Sequence, residues 1–138
     1  MPNTQAVGVA YSDPEFTTCY ASQEIGYSAA AQGAVTQLTS KSTGVTLNNS
    51  AGRITMNNAA LAAGAAVSFV LTNSTISIND TIIVNVSSNT TGSAAGAYTT
   101  YVSYLAAGPA LITLRNLTAA TSYSEAVIIN FAIIHGAS

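Results

Sequence analysis

Charge is the scarcest commodity in this 138-residue chain: three Lys and Arg and five Asp and Glu make up 6% of it. Soluble domains ordinarily carry about 25%. The shortage removes most of the side chains that perform acid–base, metal and phosphate chemistry. A structural role is therefore expected rather than catalysis. With a formal net charge of −2 there is no basic footprint of the kind nucleic-acid binders carry, so nucleic acid is not an expected partner.

Other absences narrow the picture further. Cys19 is the single cysteine, which excludes an intramolecular disulfide and a thiolate cluster within one subunit, and predicts a passive small hydrophobe. Trp is absent and Phe occurs three times, so the core must be built from Ala and β-branched residues and should be thin and sheet-like. The longest apolar run, residues 126–134, is broken by Asn130 and falls far short of the roughly 20 residues a membrane-spanning helix needs. A soluble chain without a membrane partner is expected. Met1-Pro2-Asn3-Thr4-Gln5 lacks a basic start followed by an apolar run, the mark of a secretory signal, so synthesis in a cytoplasm is expected. In that setting the six Asn-x-Ser/Thr sequons, at Asn48, Asn73, Asn79, Asn85, Asn89 and Asn116, are read as products of an Asn/Ser/Thr-rich composition.

What is present is a β-former pattern. From Ala34 onward, short runs rich in Val, Ile, Thr and Tyr alternate with turn signals, the arrangement of a sandwich or barrel. It predicts eight strands, at 34–39, 43–47, 52–56, 65–72, 81–87, 97–105, 110–117 and 126–134. One short helix is expected from Asn57 to Ala63, stopped at Gly64. Residues 1–33 are irregular, hold three of the five acidic residues (Asp13, Glu15 and Glu24), and read as an extended N-terminal arm preceding a β-sandwich domain over 34–138.

Alternation assigns faces, because successive strand residues point to opposite sides. Val67, Phe69 and Leu71 share one face against Ser68, Val70 and Thr72; Ile112 and Leu114 oppose Thr113 and Arg115. The last run, with Ile128, Ile129, Phe131, Ile133 and Ile134, is apolar on both faces and predicts a central strand or one covered by a second layer, from the arm or another subunit. Eight strands in two antiparallel sheets describe a jelly roll. An immunoglobulin-type sandwich is the alternative, without its Trp and Cys pair.

Chemistry-bearing motifs are sparse. His135, the single histidine, is ten residues from its nearest carboxylate in sequence, Glu125, and reads as an exposed end residue. Asp13 and Glu15 flank Pro14 in a turn, where Asp commonly bonds its own backbone. Neither suggests an enzyme, and no glycine-rich phosphate loop, metal set or cofactor motif is present. The candidate sites are instead contact residues: Phe16 and Tyr20 in the arm, Tyr98, Tyr101 and Tyr104 on one strand, and Arg53 and Arg115. Tyr combines large contact area with a polar tip and is enriched at interfaces. Alternation puts Tyr98 and Tyr104 on one face and Tyr101 on the other. A lone Arg suits a partner's carboxylate.

Low charge also leaves strand edges without the Lys residues that usually discourage pairing, so self-association, as a homodimer, is expected.

The order of phrases from Gly33 carries a resemblance. Gly33-Ala34-Val35-Thr36-Gln37-Leu38-Thr39-Ser40-Lys41-Ser42-Thr43-Gly44-Val45-Thr46-Leu47-Asn48 is followed by Gly52-Arg53-Ile54-Thr55-Met56, Leu61-Ala62-Ala63-Gly64 and the stretch from Ser122 to Ile134. This resembles a module of small structural proteins of tailed bacteriophages, over roughly three quarters of the chain. The resemblance implies a jelly-roll cement or decoration protein, located on the outside of the virion capsid, with the major capsid protein and itself as partners. The same module also resembles parts of phage head or tail fibres, which gives the alternative of a receptor- or glycan-binding tip, although this chain lacks a fibre's long coiled-coil or repeat shaft. The arm has no counterpart in that module.

Overall fold

The computed structural model describes residues 17–89 and 96–137. Their regular structure is almost wholly β. After a single 3-10 turn at Ala29–Ala31 come β1 (Gln32–Thr36), β2 (Val45–Thr46), β3 (Ala51–Thr55), β4 (Ala66–Thr72), β5 (Thr81–Asn89), β6 (Tyr98–Leu105), β7 (Pro109–Asn116) and β8 (Val127–Ile134). They form two four-stranded sheets, ordered β1-β3-β8-β5 and β2-β4-β7-β6. All eight expected strands are there. β1 starts at Gln32, two residues ahead of the expected domain start, and β2 shrinks to two residues.

The expectation of purely antiparallel sheets is corrected. β1 pairs with β3 in parallel and β2 with β4 in parallel, while the β3–β8, β5–β8, β4–β7 and β6–β7 pairs are antiparallel. The cause is the path of the chain, which crosses from one sheet to the other at each of its first five connections. Strands one apart in sequence then return to the same sheet in the same direction. Period-two alternation specifies which face a residue occupies, not which strand lies beside it.

The expected helix at 57–63 is absent as well. The Leu61 amide, which in a helix would donate to the Asn57 carbonyl, donates to the Tyr123 carbonyl at 2.9 Å, and the Asn57 carbonyl accepts from Lys41 instead. Leu61 then pairs with Tyr123 in an isolated bridge.

Between the sheets lies a core of Ile54, Met56, Phe69, Leu71, Ile112, Leu114, Ile129, Phe131 and Ile133, all 4% exposed or less. The alternation read from sequence holds here: Phe69 and Leu71 of β4, and Ile112 and Leu114 of β7, point inward. β8 is central in its sheet, flanked by β3 and β5. Of its outward residues, Ile128 is buried while Asn130 and Ile134 are exposed.

One narrow place in the core dictates sequence. Gly33 and Gly52 face each other across the β1–β3 pair. A Cβ on Gly33 would stand 2.7 Å from Leu47 Cδ1, and one on Gly52 2.7 Å from Leu47 Cδ2 and 2.9 Å from Phe131 Cε1. Two bare backbones thus make the slot that Leu47 fills. Before β1, Tyr27 donates its hydroxyl to the Ile133 carbonyl, tying the lead-in to the end of β8.

Candidate functional site

The outer face of the β2-β4-β7-β6 sheet gathers three of the expected contact residues. Registers across β4, β7 and β6 place Ala66, Arg115 and Thr99 in one row, Ser68, Thr113 and Tyr101 in the next, and Val70, Leu111 and Tyr104 in a third. Same-face neighbours along a strand are separated by about 7 Å, twice the rise per residue. The result is a surface graded from a cation, through hydroxyls, to an apolar row.

Tyr104 is 60% exposed, Tyr101 47% and Val70 40%. The middle row is rigid: Thr113 Oγ1 lies 2.7 Å from Ser68 Oγ and 2.9 Å from Ser103 Oγ. Thr100 Oγ1 also donates to the Thr113 carbonyl at 3.0 Å. Interlocked hydroxyls hold the tyrosines' surroundings fixed, which lowers the ordering cost of any contact made there.

The face assignment of the tyrosines is corrected. The β6–β7 register shifts between Val102 and Tyr104, the signature of a β-bulge. An extra residue reverses the alternation beyond it. Tyr104 therefore joins Tyr101 on the outer face, whereas Tyr98 is 8% exposed and belongs to the core. Tyr98 packs against Tyr123 with ring centroids 6.1 Å apart. Its hydroxyl is pushed up to about 12 by burial, reinforced by the Glu125 charge and by Tyr123.

Arg53 sits on the opposite side of the sandwich, on the outer face of the other sheet, in register with Ala34 and Asn130. It lines a shallow groove of about 450 Å³ together with Tyr27, Gln32, Ser87 and Asn130. Tyr20 stands 92% exposed in the lead-in, and Phe16 lies outside the described residues. The seven expected residues thus form one cluster of three, with the others dispersed.

Sequence reasoning missed a second constellation. At one end of the sandwich, His135 Nδ1 lies 3.2 Å from Asp80 Oδ2, and His135 Nε2 lies 3.2 Å from Ser50 Oγ. His135 is exposed, as its place at the end of β8 predicts, yet hydrogen-bonded to both. The Asp80 side chain is 1% exposed. It accepts the Ser77 amide at 2.8 Å, the Ser77 hydroxyl at 2.9 Å and the Gly136 amide at 3.0 Å. The Ser77 amide foremost, and the other donors, hold this carboxyl down at about 2 against the cost of burial. Asp80 is 55 residues from His135 and Ser50 is 85, so no local spacing could have revealed the set.

At the other end, Lys41 is buried and donates to the carbonyl oxygens of Asn57 and Glu125. Burial lowers its pKa, and the nearby Glu125 charge acts in the opposite direction. No group of three or more His, Cys, Asp or Glu suited to a metal ion occurs among the described residues. No helix among them is long and apolar enough to cross a membrane.

Comparisons of the chain with protein-family models, with curated proteins and with solved structures give no match. The architecture these residues define is a two-sheet β-sandwich with mixed sheets.

Proposed function

We propose that this chain is a structural virion protein of the tailed-phage cement class, which self-associates and binds neighbouring capsid subunits through its sheet faces. The observation that carries the reading is the outer face of β4, β7 and β6. There Tyr101, Tyr104 and Val70 are exposed beside Leu111 on a rigid hydroxyl lattice, with Arg115 as the cation. Tyr and Arg anchors surrounded by modest contacts are how protein interfaces concentrate binding energy. Binding only to the assembled lattice would favour it over dispersed subunits by mass action.

The jelly-roll reading belongs with this proposal. Support for it comes from β3 with β8 and β4 with β7, which are successive antiparallel pairs of one ribbon folded across both sheets. β5 and β6, the next two strands inward in that nesting, close the edges of the two sheets by pairing with β8 and β7. β1 and β2 pair in parallel at the remaining edges and bring the strands to eight.

The test is cryo-electron microscopy of parent particles carrying the unaltered protein or Tyr104→Glu. Density for the sandwich between capsomers, lost in the variant, is expected. A bare shell with the protein at the tail or on fibres would replace the cement reading with a receptor-binding tip.

A further inference from the structure

We propose that Ser50, His135 and Asp80 form a nucleophilic relay, in which the Ser50 hydroxyl takes the acyl group of small activated esters. This goes beyond the structural reading and does not depend on it.

Asp80, a carboxylate with three fixed donors from Ser77 and Gly136, is ionised and can only accept from His135. It therefore selects the imidazole tautomer with its proton on Nδ1. Nε2 is left with a lone pair, and the atom facing that lone pair at 3.2 Å is Ser50 Oγ, which donates its proton to it. Nucleophile, base and orienting carboxylate stand in the order that acyl-transfer triads require, a geometry recognised independently of fold or sequence order.

The backbone fixes the same register. The Ile133 amide donates to the Ser50 carbonyl at 2.8 Å, locking the start of β3 beside the end of β8. On the other side, Asn79 Nδ2 donates to the Ala137 carbonyl at 2.9 Å and Asp80 accepts from Gly136, so His135 is held between two anchored neighbours. The His135 side chain is 42% exposed, which leaves the relay open to a small reagent.

The chemical step balances within these groups. Ser50 Oγ bonds to the ester carbonyl carbon while its proton moves to His135 Nε2. The bond from that carbon to the alcohol oxygen breaks, and the departing oxygen takes the proton from Nε2. Water then attacks the acyl-serine, its proton passing through Nε2 to Ser50 Oγ as the carboxylic acid leaves.

The test uses the full chain with a fluorophosphonate probe and with p-nitrophenyl acetate. Intact-mass and peptide mapping are expected to place one phosphonyl adduct on Ser50 of the unaltered protein, with none on Ser50→Ala. His135→Gln, whose fold is checked by circular dichroism, should slow labelling by about 100-fold, the low end of what a positioned base contributes. Asp80→Asn tests the positioning role: labelling should slow and depend differently on pH, because the amide no longer enforces one tautomer. Folded protein that takes no adduct, or labels as fast in His135→Gln, would overturn the relay and leave the three residues as a clasp.

Discussion

Lys41 Nζ donates to the backbone carbonyl of Glu125 at 2.6 Å, joining the loop after β1 to the start of β8 across 84 residues. Both residues are 4% exposed or less. A buried cation persists only when its donors are used and its charge is offset. Here two carbonyls and the Glu125 charge do both.

Lys41→Met is therefore expected to cost about 3 kcal/mol, since removing one member of a buried set strands the others. Urea unfolding monitored by tyrosine fluorescence measures it. A loss below about 1 kcal/mol would mean that the Lys41 bonds merely replace ones to water. Because burial lowers the Lys41 pKa, the unfolded chain binds its proton more readily, so this group alone makes stability rise with pH on approaching its ordinary value.

Tyr98 carries a buried hydroxyl with no hydrogen-bond partner among the described residues. Tyr98→Phe should leave thermal stability unchanged or raise it, because it removes a desolvated polar group that gains nothing in return. The sign at high pH follows from the raised pKa. Between about 10 and about 12 the folded protein holds a proton that the unfolded chain releases, so stability falls across that window in the parent and less in the variant. Thermal melts at pH 9 and 11 supply the comparison, and equal slopes would refute the assignment.

Acid acts on Asp80. Its carboxyl sits at about 2 when folded, against an ordinary value of 3.8, so its contribution is complete above about pH 4 and is lost as pH falls toward 2. Asp80→Asn should be less stable than the parent at neutral pH and should lose less on acidification. Parallel pH profiles for the two proteins would place the acid sensitivity elsewhere.

Gly136 lies against the backbone of the turn that carries Asp80: an added Cβ would run into the Asn79 carbonyl oxygen. Gly136→Ala must push the segment after β8 off that turn, at a cost of about 1–3 kcal/mol. Amide exchange at Gly136's neighbours should accelerate in the variant more than exchange in β7. Uniform acceleration would instead indicate loss of the whole fold.

Tyr104→Glu tests association. It places a charge on an exposed strand position, so folding stability should change by no more than about 0.5 kcal/mol. Self-association should weaken by about 30-fold, the consequence of losing a contact worth about 2 kcal/mol. Sedimentation equilibrium reads both states; unchanged association would move the interface off this face.

The strands were legible because an alternating apolar pattern is a local property, and Phe69, Leu71, Ile112 and Leu114 obey it. Three things were not legible, for separate reasons. Parallel pairing of β1 with β3 depends on where the chain returns after crossing sheets. The grouping of Tyr101 with Tyr104 depends on one extra residue in β6, which leaves no mark in composition. Ser50, Asp80 and His135 meet because β3 and β5 begin, and β8 ends, at the same corner, a fact of topology alone. The Asn57 segment misled for a fourth reason: the partners that draw its carbonyl and the Leu61 amide away from a helix, Lys41 and Tyr123, lie far off in sequence.

β8 has a temporal meaning as well as a spatial one. It lies between β3 and β5, yet it follows both in the chain. Until β8 leaves the ribosome, at roughly 5–20 residues per second, β5 has no partner in its sheet and β3 has only the short parallel strand β1. Apolar strands synthesised early must wait in the open, so the nascent chain is exposed to misassociation for several seconds before its central seam arrives.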